Sequence, residues 1–216
     1  MECDIRQTKD NEYVIFHDDN LQRLAKVEER VADVTLKEMQ QFLNNKGYDL
    51  VTLSDLLCNY KEKAPILLHI KLQDIDLDFI HMLNKSNINF ILGVQKPEMA
   101  KLCSTELPNN RILAFMPQKE DYARFAQNGA GIIRLWEHWL PSIDINQIKN
   151  LESNPEVWIM SCDENGSMNG NIESLNYFEK IGADGVLLND ITLGIRWKNN
   201  KQKNHHKNIS ERKDKK

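Results

Sequence analysis

Strand-like runs, most of them near-continuous Ile, Leu and Val, alternate with helix signatures and constrain this chain more than any other feature. Near-continuous apolar runs of this length read as strands buried on both faces. They fall at residues 2–5, 13–17, 66–72, 89–94, 111–116, 131–136, 157–161 and 185–188. Between them, Thr35-Leu36-Lys37-Glu38 and Thr52-Leu53-Ser54-Asp55 have the pattern of capping boxes. Gly47, Gly129 and Gly182 stand where helices end in a left-handed residue. Later helices are expected near 75–85, 98–105, 120–128, 144–152 and 172–181. Strand followed by helix, repeated, makes a parallel sheet with right-handed crossovers. If 13–17 is a hairpin return from the first strand, seven main strands remain. That is one short of a closed (β/α)8 barrel. No Gly-rich phosphate loop stands near the front, which argues against a dinucleotide fold.

The chain has 216 residues, enough for one α/β domain with a real core. It is 41% hydrophobic and 28% charged, the balance of a soluble globular protein. No apolar run reaches the length of a membrane span. The acidic start, Met1-Glu2-Cys3-Asp4, enters a strand at once and shows no signal peptide. Cys3, Cys58, Cys103 and Cys162 are scattered without a CxxC spacing, so a reduced, cytoplasmic setting is expected. Residues 198–216 hold eight Lys or Arg and two Asp or Glu, with almost nothing apolar. We read 1–197 as the domain and 198–216 as a basic, disordered tail. The tail is read as solvated, and no nucleic-acid partner is expected.

Side chains alternate along a strand, so Glu2 and Asp4 share one face and Cys3 takes the other. Two carboxylates on one face repel each other unless a cation lies between them, and oxygen ligands suit Mg²⁺ or Ca²⁺. His17-Asp18, returned by a turn at Asp10-Asn11, supplies a group that moves protons at neutral pH. In a barrel, functional residues gather at the C-terminal ends of strands. Glu2, Asp4, His69, Lys71, Arg134, Trp136, Trp158 and Asn189 stand at or near such ends. Each also has a structural reading. His17 and His69 could be hydrogen-bonded structural histidines, and Lys71 could pair with an acid. Arg134 could pair with Glu137, and Trp136 and Trp158 could fill the core.

The ordered set of motifs resembles the bacterial-type glycerophosphodiester phosphodiesterase family. Glu2-Cys3-Asp4-Ile5, Thr8-Lys9-Asp10 and His17-Asp18 are similar to its E-x-D-V…TKDG…HD block. Residues 51–57 resemble its P-T-L-E-E-V-L segment, and His69-Ile70-Lys71 falls where it carries E-I-K. Residues 131–137 and 157–160 resemble its later strands, and 182–190 its G-V-D-G-I-x-T-D-x-P. The likeness covers about residues 1–195.

The resemblance implies a TIM-type (β/α)8 barrel that hydrolyses glycerophosphodiesters to glycerol 3-phosphate and an alcohol with a divalent metal, Mg or Ca. It implies Glu2 and Asp4 as metal ligands, with His69 in a ligand's place. It also implies His17 as an acid/base group and Lys71 as a positive group beside the phosphate. We add Arg134 and Trp158 as candidate substrate contacts. Two departures stand out. The family's opening H-R-G…P-E-N-T stretch, with its first strand and helix, is not in this sequence, and His69 replaces a glutamate. The expectation is therefore an impaired phosphodiesterase, or alternatively a catalytically dead barrel kept for binding or structure, or a gene remnant. Open sheet edges are expected to reduce solubility or to be covered by oligomerisation.

Overall fold

The computed structural model describes residues 1–60, 64–162 and 170–201. The chain divides into two compact units, Met1–Ile132 and Ile133–Lys216. In the first, strands β1 (Glu2–Gln7), β2 (Tyr13–Ile15), β3 (Ile66–Ile70), β4 (Phe90–Val94) and β5 (Ile112–Ala114) lie in the order β2-β1-β3-β4-β5. β1 and β3 to β5 run parallel to their neighbours, and β2 returns antiparallel on β1 as a hairpin. In the second unit, β6 (Ile132–Trp136, entered across the boundary), β7 (Glu156–Met160) and β8 (Gly185–Leu187) follow in order, with β7 and β8 parallel. The expected strand and helix positions all hold to within a few residues.

The pattern that predicts the strands also buries them. Ile5, Leu68, Ile70, Leu92, Val94 and Leu113 have no exposed surface. Each such side chain contributes roughly 1.5–3 kcal/mol when removed from water. The hairpin turn is held by Thr8 N–H donating to the Glu12 carbonyl at 2.9 Å. Asn11 sits there at φ +64°, in the left-handed region that Asn tolerates and where the TKDG motif has glycine. The edge of β1 is less open than predicted. β2 covers it through Ile5, Arg6 and Gln7, and Phe16 N–H extends the pairing to the Asp4 carbonyl. The far side of β2 is met in turn by Val51 and Thr52.

Both capping boxes form. After the short α1 (Gln22–Ala25), Thr35 heads α2 (Leu36–Asn44) and Thr52 heads α3 (Leu53–Asn59), each reciprocally bonded to the acid three residues on. α2 also takes a bond from its first N–H to Asp10 Oδ1 at 2.9 Å, tying it to the β1–β2 turn. Thr35→Ala is expected to lower stability by about 1 kcal/mol. A urea titration would show this as a lower midpoint at unchanged slope. Beneath α2, Val14, Phe16, Leu21, Ala25, Val31, Val34, Met39 and Leu43 form a buried cluster of their own. It anchors the long excursion between β2 and α2, which carries His17.

A last helix covers residues 191–201. It includes the first four residues assigned from sequence to the tail. Lys201 pairs with Glu179 and lies over Trp197, whose Nε1 donates to Asn176. Residues 202–216 lie outside the described residues. No described helix is long and apolar enough to cross a membrane.

Candidate functional site

Parallel pairing of β1 with β3 sets Asp4 beside His69 in register and Glu2 beside Leu67. Alternation then turns Glu2, Asp4 and His69 to one face, as the sequence requires. Among the described residues they form a group whose ligand atoms all lie within 4.8 Å of one another. His69 Nδ1 is 2.9 Å from Asp4 Oδ1 and 3.7 Å from Glu2 Oε1. Lys71 Nζ reaches the same Asp4 oxygen at 2.9 Å. Burial pushes the Asp4 carboxyl up, but hydrogen bonds from His69 and Lys71 outweigh it and hold the group below its ordinary range. Cys3 points away, and burial among nearby acids raises its thiol.

Lys71 has a second bond, 3.0 Å to the His17 carbonyl oxygen. Arg6 donates to that same oxygen from Nε at 3.2 Å and Nη2 at 3.1 Å. Two cationic side chains thus fasten the loop that leaves β2. Farther along, the loop closes on itself, with Leu21 N–H donating to the Glu29 carbonyl and Val31 N–H to that of Asp19. The His17 ring projects outward, 69% exposed, with Nδ1 2.7 Å from Asp18 Oδ1. A carboxylate can only accept, so His17 Nδ1 carries the proton and Nε2 faces solvent as an acceptor. Arg23 Nε holds the other Asp18 oxygen at 2.6 Å. Burial raises the Asp18 carboxyl, yet its bonds to His17 and Arg23 hold it low on balance. An open cleft of about 580 Å³ lies here, lined by Arg6, His17, Asp18, Asp19, Asn20, Gln22, Arg23 and Lys71.

Arg134 and Trp158 lie in the second unit. Arg134 is 3% exposed, with its guanidinium 4.4 Å from the centre of the Trp136 ring and 5.8 Å from that of Trp139. Burial pulls it down to about 10. The Glu137 carboxylate accepts from Ser161 Oγ, Cys162 N–H and Ser174 Oγ. Trp158 does not stand at a strand end, as expected from sequence. It is mid-strand in β7, level with the first residue of β8, and its ring fills the space over Gly185. Its Nε1 donates to Glu156 Oε2 at 2.8 Å. Glu2 likewise opens β1 rather than ending it, because the hairpin lengthens that strand beyond the level of His69.

Sequence reasoning missed Arg6, Arg23 and Gln95. Arg6 follows Asp4 by two along β1, so the same alternation that paired Glu2 with Asp4 was the available signal. Gln95 Nε2 lies 3.0 Å from His69 Nε2, and nothing in the sequence announces it.

The sequence model of the Glycerophosphoryl diester phosphodiesterase family matches residues 1–105, the stretch that holds Glu2, Asp4, His17, His69 and Lys71. No curated protein matches the chain. Solved structures do. A glycerophosphodiester phosphodiesterase from Thermotoga maritima is 15% identical with a TM-score of 0.67, over 90% of this chain and 83% of that one. One from Parabacteroides distasonis is 16% identical with a TM-score of 0.67, over 86% and 77%. An Oleispira antarctica phosphodiesterase, in complex with the product sn-glycerol-3-phosphate, is 13% identical with a TM-score of 0.60, over 86% and 79%. These likenesses show the fold, the TIM-type (β/α)8 class expected from sequence. The match over residues 1–105, just under half of the chain, and the shared fold together make the chain similar to the glycerophosphodiester phosphodiesterases, a family of phosphoric diester hydrolases.

Proposed function

We propose that the chain hydrolyses glycerophosphodiesters to glycerol 3-phosphate and an alcohol, with Glu2, Asp4 and His69 holding a divalent cation. One observation carries the reading. The group of two carboxylates and an imidazole is joined through a single ammonium, Lys71, to the loop that presents His17. The donor set fits a divalent cation. The carboxylates supply hard oxygens for Mg²⁺ or Ca²⁺, and the imidazole nitrogen extends the range toward Mn²⁺. Bound there, the cation would draw charge from a phosphoryl oxygen as a Lewis acid.

The chain's own residues do the rest. Lys71 and Arg6 give the cleft positive potential beside the cluster and stabilise a phosphate diester there. A water oxygen bonds to phosphorus while the bond from phosphorus to the alcohol oxygen breaks. His17 Nε2 accepts the proton of the water, and solvent water gives the leaving alkoxide the proton that makes it the alcohol. Asp18, itself held by Arg23, keeps the ring oriented and stabilises its charged form. Arg134 and Trp158 remain candidate contacts of the substrate, read from sequence.

The test is direct. Purified chain is incubated with glycerophosphocholine and with glycerophosphoethanolamine, with Mg²⁺, Ca²⁺, Mn²⁺ or a chelator, and released glycerol 3-phosphate is counted. The expected result is release that the chelator abolishes. No release with any metal, alongside measurable substrate binding, would favour the alternative of a barrel kept for binding. One feature favours that alternative: a single Asp4 oxygen accepts from both His69 Nδ1 and Lys71 Nζ.

A further inference from the structure

His69 offers Nδ1 to the carboxylates, and its other nitrogen faces the side-chain amide of Gln95 at 3.0 Å. The ring has little freedom. It stacks on Phe115 with centroids 3.9 Å apart and planes 17° from parallel. Phe115 comes this close because Gly93, the register partner of His69, has no Cβ. A Cβ there would lie 2.5 Å from the Phe115 ring. With the ring plane fixed, the remaining variable is which nitrogen holds the proton.

A neutral imidazole has one N–H and one lone pair, and an amide has one donating and one accepting end. If the Gln95 amide nitrogen donates to Nε2, the imidazole proton must sit on Nδ1. It then points at Asp4 and closes the cluster as a hydrogen bond. If the Gln95 carbonyl accepts from Nε2–H, the Nδ1 lone pair turns to Asp4 and Glu2, and three ligand atoms converge. We propose that Gln95 is a positioning residue that selects the tautomer of His69. A half-turn of its amide switches the cluster between a hydrogen-bonded form and one ready for a divalent cation. Gln95 is suited to turn, since it lies just past the end of β4 with its side chain exposed. The inference rests on the metal reading above. It assigns Gln95 the outer-shell role that a partner of a ligating histidine has in metal sites generally.

The test uses the full chain, with the wild type, Gln95→Glu and Gln95→Met compared. Nitrogen shifts of His69 report its tautomer in spectra of ¹⁵N-histidine protein at a pH of about 8, above the ordinary imidazole range. The His69 signal is assigned by its loss in His69→Gln. Affinities for Mg²⁺ and Zn²⁺ are read by calorimetry, and the heat remaining in His69→Gln is subtracted. The wild type should hold its proton on Nδ1 without metal and on Nε2 with it. Gln95→Glu, which can only accept, should hold the proton on Nε2 in both states and bind metal more tightly. Gln95→Met, with Asp4 still accepting at Nδ1, should keep the proton there without metal and bind metal about 10–100-fold more weakly, since nothing then accepts from Nε2–H. Wild-type metal affinity in Gln95→Met would overturn the proposal. So would a wild-type proton that stays on Nδ1 when metal binds. Metal binding by none of the three would overturn the metal reading, and the switch with it. That failure is told apart by the metal-free spectra, which would still separate Gln95→Glu from the wild type.

Discussion

Asp4→Ala is expected to be the most damaging single change in the cluster. It leaves Lys71 and His69, both mostly buried, facing each other without the carboxylate that joins them. Removing one partner from a buried ion pair costs about 3–5 kcal/mol, because the remaining charge stays desolvated. Urea titration should place the variant well below the wild type. The same change should also erase stabilisation by metal. In the wild type, a divalent cation at 100-fold its dissociation constant adds about 2.7 kcal/mol to stability. Asp4→Asn separates the two effects. It keeps the shape and softens the loss of stability, yet it should melt at the same temperature with and without Mg²⁺. A wild type whose melting temperature ignores Mg²⁺, Ca²⁺ and Mn²⁺ would count against Glu2, Asp4 and His69 as ligands.

His17→Ala is expected to act in the opposite way, with a large effect on turnover and little on the fold. The ring is mostly in solvent, and what fastens its loop is the backbone carbonyl, which alanine retains. Loss of a general acid/base group typically costs about 10²–10⁴-fold in rate. Steady-state kinetics should show that loss in kcat, with KM and the metal-dependent melting temperature close to wild type. A parallel loss of stability would mean that the His17–Asp18–Arg23 chain is structural. Unchanged kcat would mean that another group moves the proton.

Much of the fold was legible because its signals are local. A capping box is written in four consecutive residues, and Thr35 and Thr52 both form one. A left-handed helix end favours glycine, and Gly47, Gly129 and Gly182 all take positive φ. Strands buried on both faces must be apolar throughout. The metal-type cluster was legible for a similar reason, since alternation fixes the face shared by Glu2 and Asp4. What escaped was everything set by register and by loops. That Asp4 lies beside His69 depends on how β1 slides against β3. That Arg6 and Lys71 meet on one carbonyl depends on the path of the chain after β2. The mid-strand place of Trp158 escaped for the same reason. Its depth along β7 is set by pairing with Gly185, which its own neighbours in sequence do not reveal.

The two bonds of Lys71 also bear on how a ligand would be received. A lysine on a surface samples many rotamers, and holding it still on binding costs about 0.5–1.5 kcal/mol. Here that ordering is already complete, because one ammonium is gripped by the Asp4 carboxylate and by the carbonyl of a loop that is itself closed. Arg6 is stilled in the same manner. The entropy of arranging the cleft is therefore lost when the protein folds. A phosphate arriving between these groups would meet charges that need not be gathered.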